Sequence, residues 1–148
     1  MNLLDGVKIL SFNHYLAGPL AAQTLADLGA DVITVEPIEG AFQRNWAVAN
    51  HFVAGDSVNH LATGRNKRSI AVDLKHPDGI AAVKKLVATS DVVMENFRPG
   101  TMKVGLKALG LIQNADPRPP LLPVVPALCD VIATTVGAAR AAGNIRLA

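Results

Sequence analysis

Residues 7–36, VKILSFNHYLAGPLAAQTLADLGADVITVE, constrain the fold of this chain more than any other stretch. Val7, Ile9, Leu10 and Phe12 form a short apolar run of the kind that fills a buried parallel strand. Gly18-Pro19 predicts the opening of a helix, with proline at the first helical position, where its missing N–H costs nothing. Leu20, Thr24, Leu25 and Leu28 fall on one face at helical spacing and are the expected core stripe. Gly29 is a left-handed stop, and Val32, Ile33 and Val35 supply a second strand. Strand, helix and parallel strand make a right-handed crossover unit. Such units build open α/β sheets, which bind ligands beyond the carboxyl ends of their strands.

A second crossover follows a long connection. Residues 37–66 show no clear period and hold Arg44, Trp46, His51, Phe52, His60 and Arg65. A connection of this length is commonly functional or partly disordered; the plainer reading, a surface loop with a packed Trp, is preferred. Ile70, Val72 and Leu74 alternate as a strand, and Pro77 starts a helix with Ile80, Val83, Leu86 and Val87 on one face. Residues 91–95 are the next strand. The expected class is therefore α/β, a Rossmann-like open parallel sheet of two βαβ units, incomplete at the carboxyl end. Residues 1–110 form its domain. Residues 111–148 are a Pro/Ala-rich tail, with a terminal helix over 129–142 closed by Gly143.

Composition removes several functions. A net charge of +2, with one Trp, one Tyr and four Phe, offers neither a basic footprint nor a stacking platform for nucleic acid. The single cysteine, Cys129, excludes an intrachain disulfide and a multi-cysteine zinc site, and reads as a buried apolar residue more readily than as a reactive thiol. The four histidines are scattered, so no metal site is expected. The amino terminus lacks a signal-type apolar core, and residues 119–139, though apolar, carry four prolines and Asp130. A cytoplasmic protein with no membrane span is expected.

The chemistry is sparse on local pattern. Glu36 stands where an acidic residue would hold a ribose, but the turn over 11–19 has one glycine and no G-x-G-x-x-G. There is no G-x-S-x-G elbow. Asn66-Lys67-Arg68 and Lys75 are the best anion-binding candidates, against the plainer reading of a solvated basic edge. Asn96-Phe97-Arg98 is either a ligand-facing turn or one closed by asparagine around a packed phenylalanine.

Four segments, LDGVKIL, LAGPLAAQTLADLGADVITVE, GRNKRSIAVDLKHPDG and SDVVMENFRPGTM, occur in this order and spacing. Together they resemble the amino-terminal part of the family III CoA-transferases (formyl-CoA transferase-like), over residues 4 to about 109. The resemblance implies an interlocked homodimer that moves coenzyme A from an acyl-CoA to a carboxylic acid. It also implies an aspartate that passes through a mixed anhydride and an enzyme-bound thioester. Racemases of acyl-CoA share the superfamily, so the motifs point to the coenzyme more firmly than to one reaction.

By the same resemblance, the turn at His14, Tyr15 and Leu16 passes beside the coenzyme, and Val72 and Lys75 meet its nucleotide end. Asn96 and Phe97 form a coenzyme-facing turn with Arg98 beside them, and Lys103 stands for a basic residue nearby. Pro37 replaces a basic residue the family often carries there. After Asn114-Ala115-Asp116-Pro117-Arg118 the family's strand and Gly-rich turn, which precede the nucleophilic aspartate, are not found. Cys129-Asp130-Val131-Ile132-Ala133 resembles a later helix start, and the surroundings of Asp130 do not match those of the nucleophile. No catalytic residue is assigned. The expectation is a truncated or internally deleted transferase domain, inactive alone. The alternatives are a non-catalytic module that binds CoA or pairs with a partner, and a degraded product that folds poorly.

Overall fold

A computed structural model describes residues 2–97, 100–117 and 123–143. By contacts the chain divides into two compact units, residues 1–96 and 97–148.

The first unit holds the sheet. Its elements are β1 (Lys8–Phe12), α1 (Ala17–Asp27), β2 (Asp31–Glu36), β3 (Phe52–Val53), β4 (Asp56–Ser57), α2 (Val58–Gly64), β5 (Arg68–Ala71), α3 (Pro77–Ala88) and β6 (Val92–Glu95). Four strands lie in the order β5-β2-β1-β6, every neighbouring pair parallel. This is the expected Rossmann-like open sheet. Alternation along the strands splits the core into two layers. Ile9 and Val32 pack with Ala22, Ala26 and Ala30 on the α1 side, while Leu10, Val35 and Val72 pack with Val83 on the α3 side.

Helix α1 corrects two expectations. It begins at Ala17, so Pro19 is its third residue. That position still lies among the first four helical residues, whose N–H groups have no intrahelical acceptor, so proline is tolerated there. Its buried face consists of Gly18, Pro19, Ala22, Gln23 and Ala26; of the leucine stripe only Leu25 packs against the core, and Leu20 and Leu28 are 47% and 40% exposed. Small side chains let the helix axis approach the sheet closely, and that close packing outweighs the larger apolar area of the leucines. Gly29 ends the helix region at φ +102°, where an added Cβ would lie 2.4 Å from the Asn2 Cβ.

The second crossover is shorter than its sequence pattern. Val72 follows β5, its N–H donating to the Glu36 carbonyl at 2.8 Å, and Leu74 is exposed beyond the strand. Helix α3 starts at Pro77 as expected, with the His76 Nδ1 accepting from the Asp78 N–H at 3.2 Å. Within α3 only Val83 is fully buried, with Leu86 packed beside the core. The segment 37–66 is more ordered than a plain loop. It holds two 3-10 turns (Phe42–Arg44 and Val48–Asn50), the β3–β4 hairpin and α2. Ser57 makes that possible: its hydroxyl donates to the Gln43 carbonyl at 2.6 Å and accepts from the His60 N–H at 2.9 Å, capping α2.

The second unit contains α4 (Thr101–Ala108) and α5 (Pro126–Ala141), which pack together. The sequence reading did not include α4. Helix α5 starts three residues before the expected Cys129, with Pro126 in its first turn. Gly143 follows at φ +71°. Cys129 is half-buried, its Sγ 3.6 Å from the Val124 carbonyl. Among the described residues no helix is long and apolar enough to cross a membrane.

Candidate functional site

Because all four strands run parallel, the segments leaving β1, β2, β5 and β6 emerge at one edge. The chain leaves β1 for β2 and β5 on one side, then returns to β6 on the other. The reversal places the fold's topological switch between β1 and β6, where an open α/β sheet has its natural crevice.

Asn96 closes that crevice. Its Oδ1 accepts from the His14 N–H at 2.7 Å, and its Nδ2 donates to the His14 carbonyl at 2.9 Å. One side chain thus satisfies both backbone groups of a residue 82 positions earlier. Asn13 holds the turn from within, its Nδ2 donating to the Ser11 hydroxyl at 3.0 Å and the Gly18 carbonyl at 3.2 Å. Gly18 is required for this approach, since a Cβ there would stand 2.8 Å from the Asn13 side chain. Between the two asparagines Tyr15 adopts φ +61°, a conformation that costs a non-glycine residue on the order of 1 kcal/mol. The surroundings fix a strained residue at the mouth of the crevice, with the Tyr15 and Leu16 side chains exposed.

Phe42 and Trp46 extend that surface. The Tyr15 and Phe42 ring centroids are 5.0 Å apart, and the Phe42 and Trp46 rings stack at 6.2 Å. Sequence reasoning noted Trp46 as a loop residue but did not join it to Tyr15. The usable signal was aromatic content in an aperiodic loop that follows a strand end.

Glu36 anchors this loop. Its carboxylate is 5% exposed and accepts from Arg44 Nε at 2.7 Å, Arg44 Nη2 at 2.9 Å and the Ala41 N–H at 3.0 Å. Burial alone would raise its pKa. The Arg44 hydrogen bonds, the Ala41 N–H and the charge of Arg44 outweigh burial, and the carboxyl titrates below its ordinary value. Arg44 is raised in turn, first by its hydrogen bond to Glu36. With both oxygens engaged, Glu36 is a structural anchor and not a hook for a ribose.

Val72 and Lys75 meet at a second cleft on the same edge. It measures about 480 Å³ and is lined by residues 37–39 and 72–75. The Val72 side chain belongs mainly to the core. Lys75 is exposed, its N–H donating to Asp73 Oδ1 at 2.8 Å, a local turn that aims the chain outward. The opposing wall carries Pro37, Ile38 and Glu39.

The structure thus brings His14, Tyr15, Leu16 and Asn96 together, with Val72 and Lys75 along the same edge. Phe97 and Lys103 belong to the second unit, where Phe97 is exposed and Lys103 Nζ donates to the Asp116 carbonyl at 3.0 Å. Arg98 lies outside the described residues. The three anion-binding candidates at the start of β5 have separate fates. Asn66 donates to Asp27 Oδ1 at 2.6 Å, Arg68 pairs with Asp31 at 2.6 Å, and Lys67 Nζ donates to the Pro19 carbonyl at 3.1 Å.

Comparison with known proteins places this geometry in a lineage. The model of CoA-transferase family III matches residues 4–115. A human succinyl-CoA:glutarate CoA-transferase is 47% identical over 109 residues, covering 73% of this chain and 24% of the relative. A succinyl-CoA–D-citramalate CoA-transferase of Chloroflexus aurantiacus is 46% identical over 101 residues, covering 68% and 25%. The chain spans about a quarter of the length of these relatives. Among solved structures, a CaiB/BaiF family protein from Brucella suis superposes with a TM-score of 0.61 at 42% identity, covering 78% of this chain and 30% of that one. A hypothetical protein from Mycobacterium tuberculosis gives 0.55 at 28% identity over 97% and 52%. Motifs, parallel sheet and similarity agree: this chain is a member of CoA-transferase family III.

Proposed function

We propose that this chain forms the coenzyme-binding edge of a transferase that moves CoA between carboxylic acids. The observation that carries the reading is the paired Asn96–His14 bonding, which holds the strained Tyr15 turn at the switch between β1 and β6. Exposed Ile38 and Leu74 flank the cleft that carries Lys75, a setting in which a flat base slots between aliphatic walls while the ammonium meets a phosphate. The exposed rings of Tyr15 and Phe42 supply an apolar surface for the acyl end.

No aspartate of this chain is assigned as the nucleophile. Asp27, Asp31, Asp56, Asp73 and Asp91 are each occupied by a cation or a backbone N–H. On this reading the 148-residue chain binds CoA without transferring it, and CoA exchange between two acids by the purified chain alone overturns this part.

Calorimetric titration with CoA tests the binding. Asn96→Ala releases the His14 turn and weakens CoA by about tenfold or more, the cost of two lost hydrogen bonds that position the site. Lys75→Ala weakens CoA by several-fold, with the difference from wild type shrinking as salt rises. No heat with the wild-type protein rejects the reading.

Pairing with a second chain is supported by two exposed leucines, Leu20 in α1 and Leu28 just after it. Sedimentation velocity of the wild type and of Leu20→Lys distinguishes a dimer from a monomer.

A further inference from the structure

A third cavity, of about 310 Å³, lies over the α1 side of the sheet, between α1 and α2 and above β2 and β5. Two residues of its lining, Gln43 and Thr34, are only 3% and 8% exposed and carry side-chain oxygens, Oε1 and Oγ1, with no hydrogen-bond partner among the described residues. An acceptor without a partner at such depth costs about 1–3 kcal/mol, a cost that a donor carried by a ligand would remove. The cations of the lining are unequally matched. Arg44 is taken by Glu36, Arg65 by Asp27 and Arg68 by Asp31. Lys67 meets only the Pro19 carbonyl and has no carboxylate partner among the described residues, which leaves two ammonium donors for another acceptor.

We propose that this pocket binds a small oxyanion that carries its own hydroxyl, hydrogen phosphate being the simplest. An anionic oxygen takes the free donors of Lys67, the hydroxyl donates to Gln43 Oε1, and the Thr34 hydroxyl completes the shell. Burial lowers the pKa of Lys67, opposed by the charge of Glu36, so an anion beside it relieves a cost already present. His60 is likewise lowered, chiefly by burial and then by Arg44, which makes it a neutral wall of the cavity.

The arrangement discriminates between two ions of equal shape, because sulfate at neutral pH has no hydroxyl to offer Gln43. Calorimetry at pH 7 is expected to show phosphate binding about tenfold or more tighter than sulfate. Gln43→Leu, which removes the lone oxygen while keeping volume, is expected to retain a cooperative melt and reduce that ratio to about one. Lys67→Met is expected to weaken both ions by about tenfold. Saturating CoA is expected to leave the phosphate isotherm unchanged. Equal binding of the two ions, or no binding of either, overturns the proposal, and competition by CoA overturns it in favour of the coenzyme's own phosphates.

Discussion

Gly79→Ala is expected to be among the most damaging single substitutions in this protein. Gly79 is the third residue of α3, and an added Cβ would lie 2.0 Å from the Asp73 carbonyl oxygen. It would also come within 3.0 Å of the Asp73 carbonyl carbon and Val72 Cγ1. The obstacle is backbone, so no side-chain rotation relieves it. Either α3 moves off the sheet, opening the layer that contains Leu10, Val35, Val72 and Val83, or the 72–75 segment is displaced. The expected cost is about 3 kcal/mol or more, a fall of roughly 10 °C in Tm for a chain of this size. Because Val72 and Lys75 line the cleft behind the clash, CoA affinity falls with stability. Gly137→Ala in α5 is the control. Its Cβ would meet nothing within 4 Å, and a helical glycine replaced by alanine gains about 0.5–1 kcal/mol. Equal melting temperatures for the two variants would refute the packing argument.

Glu36→Ala is the second large effect. The substitution leaves the Arg44 guanidinium and the Ala41 N–H without their shared acceptor. Breaking a buried pair from one side costs about 3–5 kcal/mol. Arg44 is partly exposed and regains some water, so the lower end of that range applies. The pH dependence follows from the direction of the shift. The folded carboxyl titrates below its ordinary 4.5, so its contribution is fully present above that pH and is lost as pH falls through the lowered value. Urea melts of the wild type are expected to lose stability on acidification below about pH 4.5. Those of Glu36→Ala start lower at pH 7 and are flatter over the same interval. Parallel acid limbs for the two proteins would exclude Glu36 as the source. The same change loosens the Phe42–Arg44 turn, so the Tyr15–Phe42–Trp46 surface is expected to lose rigidity, visible as red-shifted Trp46 fluorescence.

Legibility in the sequence followed periodicity and punctuation. β1, β2 and α3 were readable because apolar runs sit between strong markers, Gly29 behind α1 and Pro77 ahead of α3. The face of α1 was misread because Leu20 and Leu28 outweigh alanine on any hydropathy count, whereas the sheet accepts the narrow Gly18–Ala22–Ala26 row. The hairpin and α2 were missed because a seven-residue helix is too short to display a period, and Ser57 is its main marker. For the candidate site, Lys75 and Asn96 are legible from their places beyond strand ends, whereas His14, Tyr15, Leu16 and Val72 come from the family motifs alone. The Gln43–Thr34–Lys67 pocket had no motif at all, apart from the basic run before β5.

The crossovers between strands, and hence the shared edge of the segments after them, are readable from residues 7–95. Local periods carry that information, because each reports only which side of a short segment avoids water. The return of β6 to a place beside β1 is visible in the folded chain alone. That placement sets Asn96 against His14 across 82 positions, while the seating of α2 over β2 and β5 leaves two oxygens unpaired and the seating of α3 presses Gly79 on the Asp73 carbonyl. Such contacts depend on the order and stacking of whole elements, which no residue encodes in its immediate neighbours.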